Sequence, residues 1–524
     1  MFSLLFRAII IRQAQFFHKG EREKTKLISI YYMYNPNPAG ETIGEVSNMK
    51  CGSLTDKAIR GAFDGAADFN ARPVTVCGMG LTVYSIDGLT SGGDISHYVV
   101  RPLMENLRGD TMQALYDRAL HQVVWNCVAI PCKDLEDALS KLINGFCLVL
   151  FDGVGGIAFE DKTPEKRVPM APQVENTVKG PKDAFTETNR TNTSLVRRHL
   201  RNPDLQIYET VVGRRSRTNV SVISIRGLTN PDLVGRLKAR LHEIDIDGLI
   251  SPASVEEYVT GSRATPFPLV QYTERTDKFC QGILDGRVGL LVDGLPLGYL
   301  LPVNLGYLMQ TPEDRGMDYI SATSVRVIRY LALLISLFLP ALYVAMATFH
   351  PEMIPDALLR SMIDSKKQVP FPTIMEVLGL LIAFELLQQA GISLPQSIGQ
   401  TISIIGGLVV GSAAVEARLI SPAALVAVAI AGICGYAVPG KDFSDAMRLW
   451  RFLLAVCASL AGLFGVIAGA IGLLIHLSQL ESFGISYLTP FAGMRPGTAL
   501  RRPRLRELKY RDPLLHPQDD RNQR

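Results

Sequence analysis

The residue sets that perform covalent chemistry are incomplete in this chain. A serine nucleophile on a sharp turn needs Gly-x-Ser-x-Gly, a phosphate-cradling loop needs Gly-x-x-x-x-Gly-Lys-Ser/Thr, and a helical zinc site needs His-Glu-x-x-His. None of the three occurs. The Gly153-Val154-Gly155-Gly156 turn is not followed by the helical pattern whose N-terminus would hold a phosphate. The 8 histidines are scattered at no ligand spacing, and Cys127 and Cys132 have no second pair to complete a metal set. The other cysteines sit mostly in apolar runs, as buried reduced thiols do. The chain therefore reads as a protein with no enzyme site, no metal and no cofactor.

The sharpest polar feature lies between Lys182 and Arg217, where 8 basic residues meet 4 acidic ones for a net charge of +4. Nucleic-acid contact would need aromatic stacking partners, and only Phe185 and Tyr208 stand nearby. The whole chain is only +4, with 54 Lys+Arg against 50 Asp+Glu, which also argues against nucleic acid. Arg190, Arg197, Arg198, Arg214, Arg215 and Arg217 are accordingly expected on a solvated or subunit-facing surface near anionic lipid headgroups.

Two further patterns belong to apolar surroundings. Gln400, Ser403, Gly407 and Val410 share one stripe of an otherwise Ile/Leu/Val-rich run. Such a stripe can line a water-filled path, with Val410 as an apolar constriction that gates by dewetting. Packing through Gly407-x-x-x-Gly411 accounts for the same stripe. Gly462, Gly465, Gly469 and Gly472 recur at helical spacing, and small residues so placed let two helices approach closely, within the chain or between protomers.

The elements that must carry these residues divide the chain into two solvents. Apolar residues make up 47% and charged residues 20%, and the mean hydropathy is +0.17, a balance that points to a bilayer. Four runs are long enough to span one: Tyr330 to Phe349, Ile398 to Val415, Ile420 to Val438 and Phe452 to Ile475. Thr373 to Leu387 carries Glu376 and Glu385, and Thr373 to Gln389 is expected as a re-entrant or interfacial helix on the outer side. Arg326 and Arg329 precede the first run, and the tail from Arg495 holds 9 basic residues against 4 acidic ones. The positive-inside rule then places both termini in the cytoplasm and makes the crossings even in number, four being the expected count. Pro340 should kink the first span.

Before residue 325 the composition is mixed α/β. Tyr84-Ser85-Ile86-Asp87-Gly88-Leu89-Thr90 is echoed by Ile223-Ser224-Ile225-Arg226-Gly227-Leu228-Thr229, 139 residues later, and the run ending Phe151-Asp152-Gly153 by Val292-Asp293-Gly294, 141 later. Two landmarks at nearly one offset argue for two related α/β domains in tandem, ahead of an all-α membrane domain. The divisions read from sequence are a leader at 1–49 (with Met49 as an alternative start), α/β domains at 50–175 and 176–325, the membrane domain at 326–490 and a basic tail at 491–524.

Several motifs carry a family resemblance. They include Val178-Lys179-Gly180-Pro181, Asn189-Arg190-Thr191-Asn192, Gly213-Arg214-Arg215-Ser216-Arg217-Thr218 and Pro266-Phe267-Pro268-Leu269-Val270-Gln271-Tyr272-Thr273-Glu274-Arg275. Leu339-Pro340-Ala341, Thr348-Phe349-His350-Pro351-Glu352-Met353-Ile354-Pro355, Ile398-Gly399-Gln400-Thr401 and Ser482-Phe483-Gly484 continue the series. Over roughly 50 to 510 the chain resembles the A subunit of GerA-type spore germinant receptors. The resemblance implies a multi-pass subunit of the inner spore membrane that forms a homo-oligomeric, germinant-gated monovalent-cation channel. It also implies a permease-like B subunit and a lipoprotein C subunit as partners. A dipicolinate-release-associated paralogue shares these motifs and stays open as an alternative. A secondary transporter or membrane scaffold fits less well, since the repeat lies in the soluble half rather than in the membrane.

Overall fold

The computed structural model describes residues 54–125, 127–161, 171–172, 174–175, 177, 179–261, 264–393, 411–489, 491 and 500–522. The first sheet is built from β1 (Phe69–Val76), β2 (Met79–Ile86), β3 (Ala129–Cys132), β4 (Phe146–Phe151) and β5 (Gly155–Glu160). Its strand order is β1-β2-β4-β5-β3, antiparallel throughout. β4 reads Phe-Cys-Leu-Val-Leu-Phe with every residue buried, because helices cover both faces. Helix α1 (Asp56–Ala62) and α2 (Leu135–Ile143) pack Ile59 and Leu142 on one face, and the helical stretches 92–106 and 112–123 pack Val99, Leu103 and Leu115 on the other.

The second sheet repeats the plan. β6 (Leu205–Val212), β7 (Thr218–Ile225), β8 (Gln271–Thr273), β9 (Val288–Val292) and β10 (Gly298–Leu301) follow the order β6-β7-β9-β10-β8. The register repeats as well as the order. Leu81 pairs with Phe151 in the first sheet and Val220 with Val292 in the second, offsets of 139 (220 − 81) and 141 (292 − 151). Helices α3 (Asn189–His199), α4 (Pro231–Glu243), α5 (Pro252–Thr260) and α6 (Thr276–Leu284) cover this sheet. The two α/β units are pinned together by a buried ion pair. Arg197 Nε and Nη2 donate to the two carboxylate oxygens of Asp68 at 2.6 and 2.7 Å, with both side chains at most 2% exposed.

The longer helices among the described residues that follow are α7 (Tyr319–Thr348), α8 (Asp356–Lys366), α9 (Thr373–Ser393), α10 (Pro422–Tyr436) and α11 (Lys441–Gln479). Among the described residues α7, α9 and α11 are long and apolar enough to cross a bilayer, and α10 is shorter at 15 residues. α9 thus differs from the re-entrant segment read from sequence. Glu376 accepts from the Ser421 amide and Glu385 from the Arg448 guanidinium, and α9 runs as one helix through both.

The run expected as one last span, Phe452 to Ile475, is a hairpin. Phe443 and His476 both touch the Phe267 ring, at centroid distances of 6.1 and 5.8 Å. In a straight helix 33 residues would hold them about 50 Å apart. The chain reverses at Ala461 and Gly462, whose φ/ψ of 58/−137° is a glycine conformation. Gly462 packs against Phe349 and His350, just beyond the end of α7. The reversal therefore sits at the face far from the sheets.

Contacts set the direction of the other helices. Tyr343, near the far end of α7, meets Ser421 at the start of α10, and Glu376 near the start of α9 accepts from the same Ser421. Gln388 near the end of α9 donates to Tyr436 at the end of α10. α9 and α10 both run toward the sheets. The tail then returns to the second sheet. Leu515 is buried, the Gln518 amide donates to the Leu228 carbonyl at 2.8 Å, and Arg511 Nε donates to the Leu284 carbonyl at 2.9 Å. Sheets and tail share one side of the membrane helices.

A hairpin places Ala461 at the membrane face opposite Gln518. In intact cells an impermeant maleimide should label one of Ala461→Cys and Gln518→Cys and spare the other. A straight span would bury Ala461 at mid-bilayer, leaving it unreactive from both sides.

Candidate functional site

Of the described residues, those with most leverage on the membrane helices lie where the second sheet meets them. α7 enters this joint on two arginines. Arg326 Nε donates to Asp314 at 3.0 Å, and Arg329 holds Asp314 through both terminal nitrogens at 3.0 Å. Arg329 also reaches the Met309 carbonyl at 2.7 Å. Asp314 is 1% exposed. Burial alone would raise its pKa, but the two guanidiniums outweigh it and hold the carboxyl below the usual range. The sequence marked both arginines as basic residues flanking the first span. Their buried acid was missed, since a single aspartate before two arginines has no local pattern.

The hairpin enters the same joint through aromatic rings. Phe443, His476 and Tyr487 lie around Phe267, at centroid distances of 6.1, 5.8 and 6.0 Å. Beyond the hairpin, Ser482 Oγ donates to the Leu269 carbonyl at 2.7 Å and accepts from the Val303 amide at 3.1 Å. A cavity of about 250 Å³ opens alongside, lined by Gln271, Tyr272, Lys278, Glu313, Asp442 and Phe443 among others. Glu256 on α5 lies close by. Burial and the neighbouring Asp442 charge push its pKa up to about 7.

On the other flank of the second sheet, His199 Nε2 and Asp183 Oδ2 are 2.6 Å apart. The hydrogen bond to Asp183 raises the imidazole pKa against the effect of burial. Burial would raise Asp183, yet the His199 and Thr276 hydrogen bonds bring it down to about 2. Both shifts favour the ion pair.

The arginines read as one basic surface do not form one. Arg197 is buried on Asp68, which sequence spacing had no means to show across 129 residues. Arg190 bridges Asp87 and Glu209 between the two α/β units. Arg214 and Arg215 are exposed on a turn and meet Asp245 and Asp247. Arg217 has φ +46° in that turn, and Arg198 is partly buried beside Arg201.

The glycines also separate by role. A β-carbon on Gly465 would lie 2.0 Å from the Cys457 carbonyl oxygen and one on Gly469 2.7 Å from Leu454 Cδ2, so these two sit at the contact between the hairpin arms. Gly462 makes the turn instead, and Gly472 faces open space. Gly411 lies beside Leu425. Gln400, Ser403, Gly407 and Val410 lie outside the described residues.

Comparison with known proteins agrees with the motifs. A family described as Bacillus/Clostridium GerA spore germination protein matches residues 57–516. Spore germination protein KA of Bacillus subtilis (strain 168) is 32% identical over 477 residues, covering 90% of this chain and 84% of that protein. Spore germination protein GerLA of Bacillus cereus is 32% identical over 443 residues, 83% of this chain and 89% of that protein. The crystal structure of the N-terminal domain of the A subunit of the Bacillus megaterium spore germinant receptor GerK3 is 25% identical, with a TM-score of 0.38. It covers 48% of this chain and 96% of that one.

Asp314→Asn leaves two buried guanidiniums facing a neutral amide, so thermal or denaturant unfolding should show a loss of about 3 kcal/mol. Glu256 makes a second, pH-dependent prediction. Its folded pKa is raised, so the folded state holds the proton longer than the unfolded chain, and ionising it costs stability. Stability should fall as pH rises from near 4.5 to about 7. Glu256→Gln should flatten that slope, and an unchanged pH profile would discount the Glu256–Asp442 pairing.

Proposed function

We propose, for a chain that belongs to the GerA spore germination family of Bacillus and Clostridium, that it is the A-type membrane subunit of a nutrient germinant receptor. In this reading copies of the chain associate around a gated monovalent-cation path. A permease-like subunit and a lipoprotein complete the receptor in the inner spore membrane, with both termini in the cytoplasm. The observation that carries it is the extent of the family match, which runs through both sheets, the membrane helices and the tail.

Three features support the finer points. Sheets and tail share one side, as a cytoplasmic pair of termini requires. α7 exposes Ile320, Val327 and Ile328. This 30-residue helix is about 45 Å long, while a bilayer core is about 30 Å thick. These side chains therefore lie below bilayer depth, where another subunit covers them better than water does. Finally, α9 and α10 run in the same direction, and Ile398 to Val415 lies between them in sequence. That run carries the polar stripe and Val410.

An apolar ring holds ions back because dehydrating an ion there costs several kcal/mol without a compensating ligand. Val410→Ala should weaken that barrier, and spores carrying it should leak cations or germinate without nutrient. If Val410 only packs, the change costs about 1 kcal/mol and leaves gating intact. Nutrient-free germination scored against receptor abundance decides the matter, and normal dormancy at normal abundance removes Val410 from the gate.

A further inference from the structure

Glu376 is an anomalous side chain among the described residues of the membrane half. It is 2% exposed, on the first turn of a helix of span length. One carboxylate oxygen, Oε2, accepts from the Ser421 amide at 2.8 Å, whereas Oε1 is buried without a partner among the described residues. No salt bridge reaches it among the described residues. The sequence holds no lysine or arginine between Lys367 and Arg418, and Lys366, just before that stretch, hydrogen-bonds Thr373 rather than Glu376. An ionised carboxylate in apolar surroundings needs either a counter-charge or a full set of donors, and one amide supplies neither.

The other polar groups brought close to Glu376 are mostly hydroxyls. Ser421 Oγ and Tyr343 Oη are 3.3 Å apart, and Ser421 is the residue whose amide binds Glu376. Thr373, 3% exposed, stands one turn before Glu376 on the same helix face. Three helices, α7, α9 and α10, thus bring hydroxyls and a carboxylate together near the far face. Hard oxygens with a single negative charge match an alkali cation. A divalent ion would call for more carboxylates, and no acidic group of metal-binding size exists among the described residues.

We infer that Glu376, with the Tyr343, Ser421 and Thr373 hydroxyls, forms a monovalent-cation site between α7, α9 and α10. The Lys366 ammonium, hydrogen-bonded to Thr373, sits at the rim of this site. It is a tethered cation that competes with the free one. The site does not depend on the channel reading, because binding is measured on the isolated protein with no current and no germination.

The test uses the full-length protein in lipid nanodiscs, with thermal unfolding followed in NaCl or KCl against equal N-methyl-D-glucamine chloride. A ligand that binds only the folded state raises the midpoint saturably with its concentration. The wild-type midpoint should rise with at least one alkali cation and not with the bulky amine. Glu376→Gln should unfold at a higher temperature than wild type in the amine salt, and its alkali response should weaken at least about tenfold. Tyr343→Phe, which keeps the ring, should weaken the response without removing it, and serves if the glutamine variant fails to fold. Lys366→Gln should keep or sharpen the alkali response. A wild type indifferent to alkali cations, but destabilised by Lys366→Gln, would overturn the site in favour of Lys366 as the permanent partner. A full alkali response in Glu376→Gln would overturn it too.

Discussion

The two arms of α11 reverse at Ala461 and Gly462, and the Gly462 backbone is a conformation that suits a residue without a β-carbon. At φ +58° and ψ −137° any larger side chain would be strained, and a β-carbon would also meet Phe349 at 2.9 Å. Everything downstream follows from this reversal. It returns His476 to Phe267 beside Phe443, so both ends of the hairpin rest on one aromatic ring of the second α/β unit. It delivers Ser482 and Tyr487 to the backbone of Leu269, Val303 and Leu305, and from there the tail reaches the second sheet. Were 441–479 a straight helix, the tail would emerge on the far side and these contacts would be lost.

The close approach of the arms is the second half of the same constraint. Gly465 and Gly469 are three and seven residues past the turn and face Cys457 and Leu454 at similar distances before it. In a bilayer there is no hydrophobic gain from bringing two apolar helices together, so contact has to come from van der Waals fit, and that fit needs residues without side chains. The sequence showed the spacing of these glycines and the close packing it implies. It did not show that the partner was the same run of residues. A run of 24 uncharged residues reads as one span by length alone, because hydropathy does not register a φ angle.

The α/β half was more legible, for a physical reason. Strand pairing fixes residues at period two, so a duplicated sheet preserves turn glycines and buried strands at constant offset, and Leu81–Phe151 and Val220–Val292 show it in the register itself. The charges were the least legible part. Arg197 read as surface charge, and Arg326 and Arg329 as flanks of a span, because their acids, Asp68 and Asp314, carry no motif, and the pairing of Arg197 spans 129 residues. Glu376 was visible only as a reason to doubt a span. What makes it stand out is an oxygen without a partner, which only the packed structure reveals.

These pieces together determine how a change in the sheets reaches the membrane. α7 is the first element of the membrane half, and its near third projects beyond bilayer depth into the joint, where Asp314 grips two of its residues one turn apart. A bidentate buried pair resists both translation and rotation of the helix, since either motion strands a charge. The hairpin is held at the same level by Phe267, a softer contact that tolerates sliding. The far ends of both elements meet again at Phe349, His350 and Gly462. α7 thus connects the joint beneath the second α/β unit to Tyr343, Ser421 and Glu376, on the face of the membrane opposite the sheets.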